Sequence, residues 1–206
     1  MNEKFFSLSE EKQQKILNSA MEVFALNDYK RASTDVIAAK AGVSKGLLFY
    51  YFHNKKELYL YLYEYVAEVM RKQIVNQHFA EITDFYELLE YSSTEKARIM
   101  EKNPYILDFA LKAFYSDKED VSEKLQKHNA YQIDNAYMVY FKNLDLSKFR
   151  EGVDVVKVYK MLLWMADGYM HNLQMNGEAI KVDALKKEFD SWMEMMKQFT
   201  YKPEYQ

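Results

Sequence analysis

The chain has 206 residues, 49% of them hydrophobic, enough to bury a full core, and only 5 Gly and 2 Pro punctuate it, so long helices with short connections are expected over short strands. The absence of Cys excludes a disulfide framework, a thiolate metal site and a cysteine nucleophile, and fits a reducing cytoplasm. The net charge of −3 is unevenly spread: residues 1–58 carry 9 basic against 7 acidic side chains and residues 59–206 carry 19 against 24, a weakly basic head on an acidic body that suits phosphate contact at one end only.

Met1 to Ser7 lacks the basic start and apolar run of an export signal, so secretion is not expected. Hydroxyl caps at Ser7 and Ser9 followed by Glu10 and Glu11 predict a first helix, with Ile16, Leu17, Ala20, Val23 and Phe24 on one apolar face ending near Asn27. Thr34 and Asp35 start a short second helix whose inward face is Val36, Ile37, Ala38 and Ala41, and Gly42 ends it. Ser44 caps a third helix through Phe52, and Asn54 to Glu57 is a capping-box arrangement opening a long fourth helix through Leu58, Leu62, Val66 and Val69. Further helices are expected near residues 82–102, 104–116, 121–144, 153–176 and 182–200, about nine in all, with Tyr201 to Gln206 frayed. The most apolar stretch, Met161 to Ala166, falls far short of the roughly 20 residues that cross a bilayer, so no membrane association is expected.

From Thr34 to Phe52 the pattern is helix, turn, helix. Gly42 supplies the positive φ that such a turn demands, and Ala38 and Ala41 are small where two helices approach closely. Ser44, Lys45 and Gly46 lead the second helix of the pair, with Tyr50 and Tyr51 one turn on and Lys55 just beyond. In a recognition helix the N-terminal residues meet base edges while hydroxyls and Lys meet phosphates on either side. Thr34 stands at a helix N-terminus, where backbone N–H groups favour a phosphate. Packing for the two tyrosines and a solvated cap position for Lys55 are the alternative readings.

At these residues the chain resembles the TetR/AcrR family of transcriptional regulators. The resemblance runs from about Ser9 to Leu62 and rests on Thr34, Ile37, Ala38, Ala41 to Gly46, Phe49 to Phe52, Lys55, Glu57 and Leu58, with Phe49 departing from the Tyr common there. It implies a three-helix helix-turn-helix DNA-binding domain over residues 1–54 and a larger helical ligand-binding and dimerisation domain over 55–206, the helix from Lys55 linking the two. It implies phosphate-directed roles for Thr34, Tyr50, Tyr51 and Lys55 and base-edge roles for Ser44, Lys45 and Gly46. Function is then expected to be that of a homodimeric repressor on an inverted-repeat operator, released by a small-molecule ligand. A helical interaction protein and a ligand-dependent activator of the same fold are the alternatives.

The body is rich in aromatic and Met residues, which predicts a pocket for an apolar or aromatic ligand, with Tyr105, Phe109, Tyr131, Trp164, Asp167 and His171 as candidate lining. Asp167 and His171, one turn apart, supply polar groups either to a ligand or to a local helix pair. Val182, Leu185, Phe189, Trp192, Met193, Met196 and Phe199 form one apolar stripe on the last predicted helix, which the resemblance assigns to a four-helix dimer interface. No cofactor, metal or catalytic site is expected: no HExxH, P-loop or GxSxG pattern occurs, and none of the four His follows a Glu by three residues as a di-iron bundle requires.

Overall fold

The computed structural model describes residues 3–103, 105–115, 121, 123, 125 and 141–206, which fold into nine α-helices among the described residues: α1 (Glu10–Leu26), α2 (Thr34–Ala41), α3 (Lys45–Phe52), α4 (Lys55–Ile74), α5 (Gln77–Glu81), α6 (Phe85–Lys102), α7 (Ile106–Phe114), α8 (Val155–Met175) and α9 (Val182–Thr200). The one β feature among them is an isolated antiparallel bridge between Phe149 and Tyr201. No described helix is long and apolar enough to cross a membrane. Most of the helix expected over 121–144 lies outside the described residues. The chain divides into two compact units, residues 1–71 with 102–137 and residues 72–101 with 138–206, and α4 begins in the first and ends in the second.

In the first unit α1 packs against α2 and α7. Glu10 and Glu11 oppose the positive end of its dipole, but the Ser9 side chain makes no capping hydrogen bond, contrary to the sequence expectation. The helix buries Ile16, Leu17, Ala20, Val23 and Phe24, and Asn27 closes it by donating to the Val23 carbonyl. Phe24 meets Tyr59 and Phe109 at ring distances of 4.8 and 6.3 Å. Ile37, Ala38 and Ala41 of α2 are buried as expected, whereas Val36 is 45% exposed, because the helix buries one narrow stripe and Val36 lies off it. Ahead of α1, a 3-10 turn at Glu3–Phe5 puts the Phe5 ring fully inside, 4.8 Å from Phe52 and 5.9 Å from both Tyr51 and Tyr61. Burial of one such ring is worth about 1.5–3 kcal/mol.

The turn between α2 and α3 is set by Gly42, whose φ of 72° places it in the left-handed region. Its N–H reaches the Ala39 carbonyl and that of Val43 the Ala38 carbonyl, satisfying the orphan acceptors at the end of α2. The chain then reverses, and Leu48 is fully buried.

In the second unit α8 packs on α9. The Asp84 carboxylate caps α6, accepting from the N–H groups of Tyr86 (2.9 Å) and Glu87 (3.1 Å), while its other oxygen takes the Lys148 ammonium at 2.7 Å. Burial opposes the charge on Asp84, yet Lys148 and the Glu87 N–H hold its carboxyl below the usual range; the same contact raises Lys148. Phe85, Tyr86, Phe149 and Tyr201 cluster edge-on around this group, with Phe141 and Tyr159 beyond.

The tail after α9 is ordered rather than frayed. Tyr201 is fully buried, the backbone pairs with the 148–150 segment, Arg150 Nε donates to the Tyr201 carbonyl at 2.8 Å, and the Gln206 amide donates back to the Gln198 carbonyl. An aromatic anchor and a long-range Arg cap, both supplied far away in sequence, outweigh the mobility that chain ends have by default. Burial, together with the charge and the hydrogen bond of Asp84, pushes the ionisation of the Tyr201 hydroxyl far up.

Two outcomes follow. Gly42→Ala costs about 1–2 kcal/mol of stability by denaturant unfolding, a backbone-strain cost, since a Cβ there meets only the mobile end of Lys15 at 3.4 Å. Asp84→Asn keeps the α6 cap but loses the ion pair, and lowers stability by about 1–2 kcal/mol near neutral pH. Because the folded Asp84 titrates below its ordinary 3.8, its contribution is present above that value and is lost as pH falls through the lower folded one; the gap between variant and parent, followed as Tm against pH, closes in that acid range.

Candidate nucleic-acid interface

The side chains expected to meet DNA lie along one short stretch of the first unit. Ser33, not Thr34, is the N-cap of α2: its hydroxyl accepts from the Val36 N–H at 3.4 Å, and Thr34 is the first helical residue and half-buried. Ser44 caps α3, accepting from the Leu47 N–H at 3.1 Å, so Lys45 and Gly46 form the first turn of that helix and both are exposed. No atom other than the Ser44 hydroxyl, 4.0 Å away, lies within contact of a Cβ built on Gly46, which leaves that backbone open to approach. Lys45 Nζ is held by Asp35 Oδ2 at 2.8 Å, a contact between two exposed side chains.

Helical phase separates the two adjacent tyrosines. Tyr50 is half exposed, on the side of Lys45 and Gly46, whereas Tyr51 is 6% exposed and packs on Phe5. Lys55, the first residue of α4, turns its ammonium back to the Lys30 and Ala32 carbonyls at 3.1 and 2.9 Å and lies 4.7 Å over the Tyr29 ring. Asn54 Oδ1 caps that helix through the Glu57 N–H at 2.9 Å. The face formed by Ser44, Lys45, Gly46, Leu47 and Tyr50 therefore combines donors, one cation, an open backbone and apolar edges, the side-chain types that read base edges and phosphates in a major groove.

Three participants were missed in the sequence. Asp35 was read only as a helix start, Leu47 (38% exposed) was not singled out, and Phe5 was assigned no role. The consecutive Phe5 and Phe6, apolar ahead of the first helix, are the one sequence signal that this segment docks on the core.

The residues expected to line a ligand pocket are distributed over both units. In the first, Phe109 is fully buried against Phe24 and Tyr59, and the Tyr105 hydroxyl donates to Glu22 Oε1 at 3.2 Å, a carboxylate that pushes its ionisation up and that Lys40 also engages. Tyr131 lies outside the described residues. In the second, Trp164 is 64% exposed, Asp167 half-buried and His171 exposed. A cavity of about 490 Å³ in that unit is lined by none of these but by Asp84, Tyr86, Glu87, Glu90, Asp190, Met193, Glu194 and Lys197. Among the described residues no group of three or more His, Asp or Glu is arranged to hold a metal ion.

The family model of bacterial regulatory proteins of the tetR family matches residues 16–62, from the middle of α1 into α4. An HTH-type transcriptional activator, FasR, of Mycolicibacterium smegmatis is 30% identical over 109 residues, 48% of this chain, and the aligned stretch spans about half, 49%, of that activator. The fatty acid metabolism regulator protein of Bacillus subtilis is 26% identical over 188 residues, covering 84% of this chain and 89% of that protein. The solved structure of the regulator FadR from Bacillus subtilis, in complex with stearoyl-CoA, superimposes with a TM-score of 0.61 at 20% identity, over 87% of this chain and 96% of that one, and shares its fold. The capped helix pair joined at a left-handed glycine, with Lys45, Gly46 and Tyr50 exposed, lies inside the stretch of the chain that is similar to the tetR family of bacterial regulatory proteins.

Proposed function

We propose that the protein is a homodimeric transcriptional repressor that binds an inverted-repeat operator through α2 and α3 and leaves it when an apolar small molecule binds the body. The observation that carries the DNA reading is the exposed face of α3. Ser44, Lys45 and Gly46 lie at its N-terminus, where base edges are read, and Tyr50 stands one turn on toward the backbone. Thr34 offers a phosphate its hydroxyl and the first-turn N–H groups of α2. Tyr51 contributes by holding α3 against Phe5.

Dimerisation is favoured by what α8 and α9 leave uncovered. Met161, Trp164, Met195 and Phe199 are between 42 and 68% exposed, and Met193 is the one buried apolar side chain of α9. Apolar residues along two long neighbouring helices are costly to hydrate and suit a self-complementary interface of two-fold symmetry. A two-fold dimer presents two copies of α3 to successive major grooves, which requires an inverted repeat. For the ligand, the names of two relatives favour a fatty-acid-derived compound, a long apolar chain of the kind an aromatic and Met-rich interior accommodates. Coupling is by linkage: a ligand that prefers the body conformation in which the heads do not fit the repeat lowers DNA affinity by that preference. The activator named among the relatives keeps activation as the second reading.

The decisive experiment selects random duplexes on the purified dimer and sequences those retained. An enriched inverted repeat is expected, with affinity reduced about a hundredfold or more in the Lys45→Ala, Tyr50→Ala double variant. A promoter carrying that repeat is expected to be silenced by the protein and reopened by a long-chain acyl compound. A folded dimer that retains no sequence over background overturns the DNA reading.

A further inference from the structure

The α1–α2 connection is pinned by a single cation. Lys55 is the first residue of α4, where the helix dipole disfavours positive charge. Its side chain, half-buried, does not point along the DNA side of the turn. Nζ donates to the Lys30 carbonyl at 3.1 Å and the Ala32 carbonyl at 2.9 Å, and stands 4.7 Å above the Tyr29 ring. Ala32 is 4% exposed, so withdrawing the ammonium strands a carbonyl with little access to water. Ala32 also leads directly into Ser33 and Thr34, the cap and first residue of α2. The connection is otherwise held by the N–H groups of Arg31 and Ala32 on the Asp28 carbonyl.

We propose that Lys55 is a positioning residue and not a phosphate ligand: its ammonium clamps the 29–32 segment and thereby fixes the N-terminus of α2, the end that meets the DNA backbone. The inference rests on the DNA-binding reading above and reverses the role that the family resemblance implies for this residue. A phosphate at Nζ would have to displace two backbone acceptors and a ring face. Two of the ammonium's three donor directions and its approach over the ring are already used by these contacts.

Lys55→Met keeps the aliphatic stem and removes the donors, and two measurements read it. The first is operator affinity, on the duplex retained in the selection, across a salt series. A clamp predicts an affinity loss of about tenfold with the slope of log Kd against log salt unchanged, because no phosphate contact is removed; a phosphate ligand predicts a slope smaller by about one per protomer. The second is amide hydrogen exchange of residues 31–37 in the free protein, which the clamp predicts to be faster in Lys55→Met and restored in Lys55→Arg. A reduced salt slope overturns the proposal whatever the exchange shows, and unchanged exchange overturns it whatever the affinity shows. Should the wild-type protein retain no duplex, the regulator reading fails while exchange still decides the clamp. If Lys55→Met is too unstable to study, Lys55→Gln gives the same two readings.

Discussion

A single residue in the left-handed region, Gly42, decides where α3 goes relative to α2. Any side chain with a Cβ resists that conformation, and without it the peptide groups at the end of α2 lose the partners that Gly42 and Val43 give them. Once the turn is fixed, Leu48 is fully buried, Phe52 and Tyr51 close on Phe5, and the opposite face of α3 is left outside. The exposed arrangement of Ser44, Lys45, Gly46 and Tyr50 is thus the complement of what the turn forces inward.

The second unit is organised around a charge. Asp84 answers the N-terminus of α6 and Lys148 in the same place, and aromatic rings from Phe85, Tyr86, Phe149 and Tyr201 cover the pair in part. An ion pair in such surroundings strengthens as water leaves, at the cost of desolvating both partners. The last residues of the chain are part of that shell, and α9 owes its ending to Arg150, which takes the carbonyls of Gln198 and Tyr201.

The local grammar of the helix-turn-helix was legible in the sequence: caps at Ser44 and Asn54, the glycine stop at 42 and the apolar stripe of α1 all act within four residues, the range over which pattern and structure are directly linked. What escaped is what acts at a distance. The docking of Phe5 under α3, the return of Lys55 to Ala32 and the pairing of Phe149 with Tyr201 join segments between 23 and about 50 positions apart, and no periodicity encodes them. The short helix α5, capped by Asn76, is too brief for an apolar stripe to announce. Tyr50 and Tyr51 were alike by type and unlike by place. The phase of Leu48 and Phe52 marks position 51 as the inward one, and all three are buried.

Asp35 and Lys45 together alter what the unbound head presents to solvent. The tip of α3 carries its own counter-ion, so the cation nearest the reading face is already locally neutralised, and the basic character counted from the sequence overstates the field there. Because both partners are exposed, the pair is worth no more than about 1 kcal/mol and is readily exchanged. An acidic residue ten positions before the lysine thus weakens the positive field at the tip of α3 in the unbound chain.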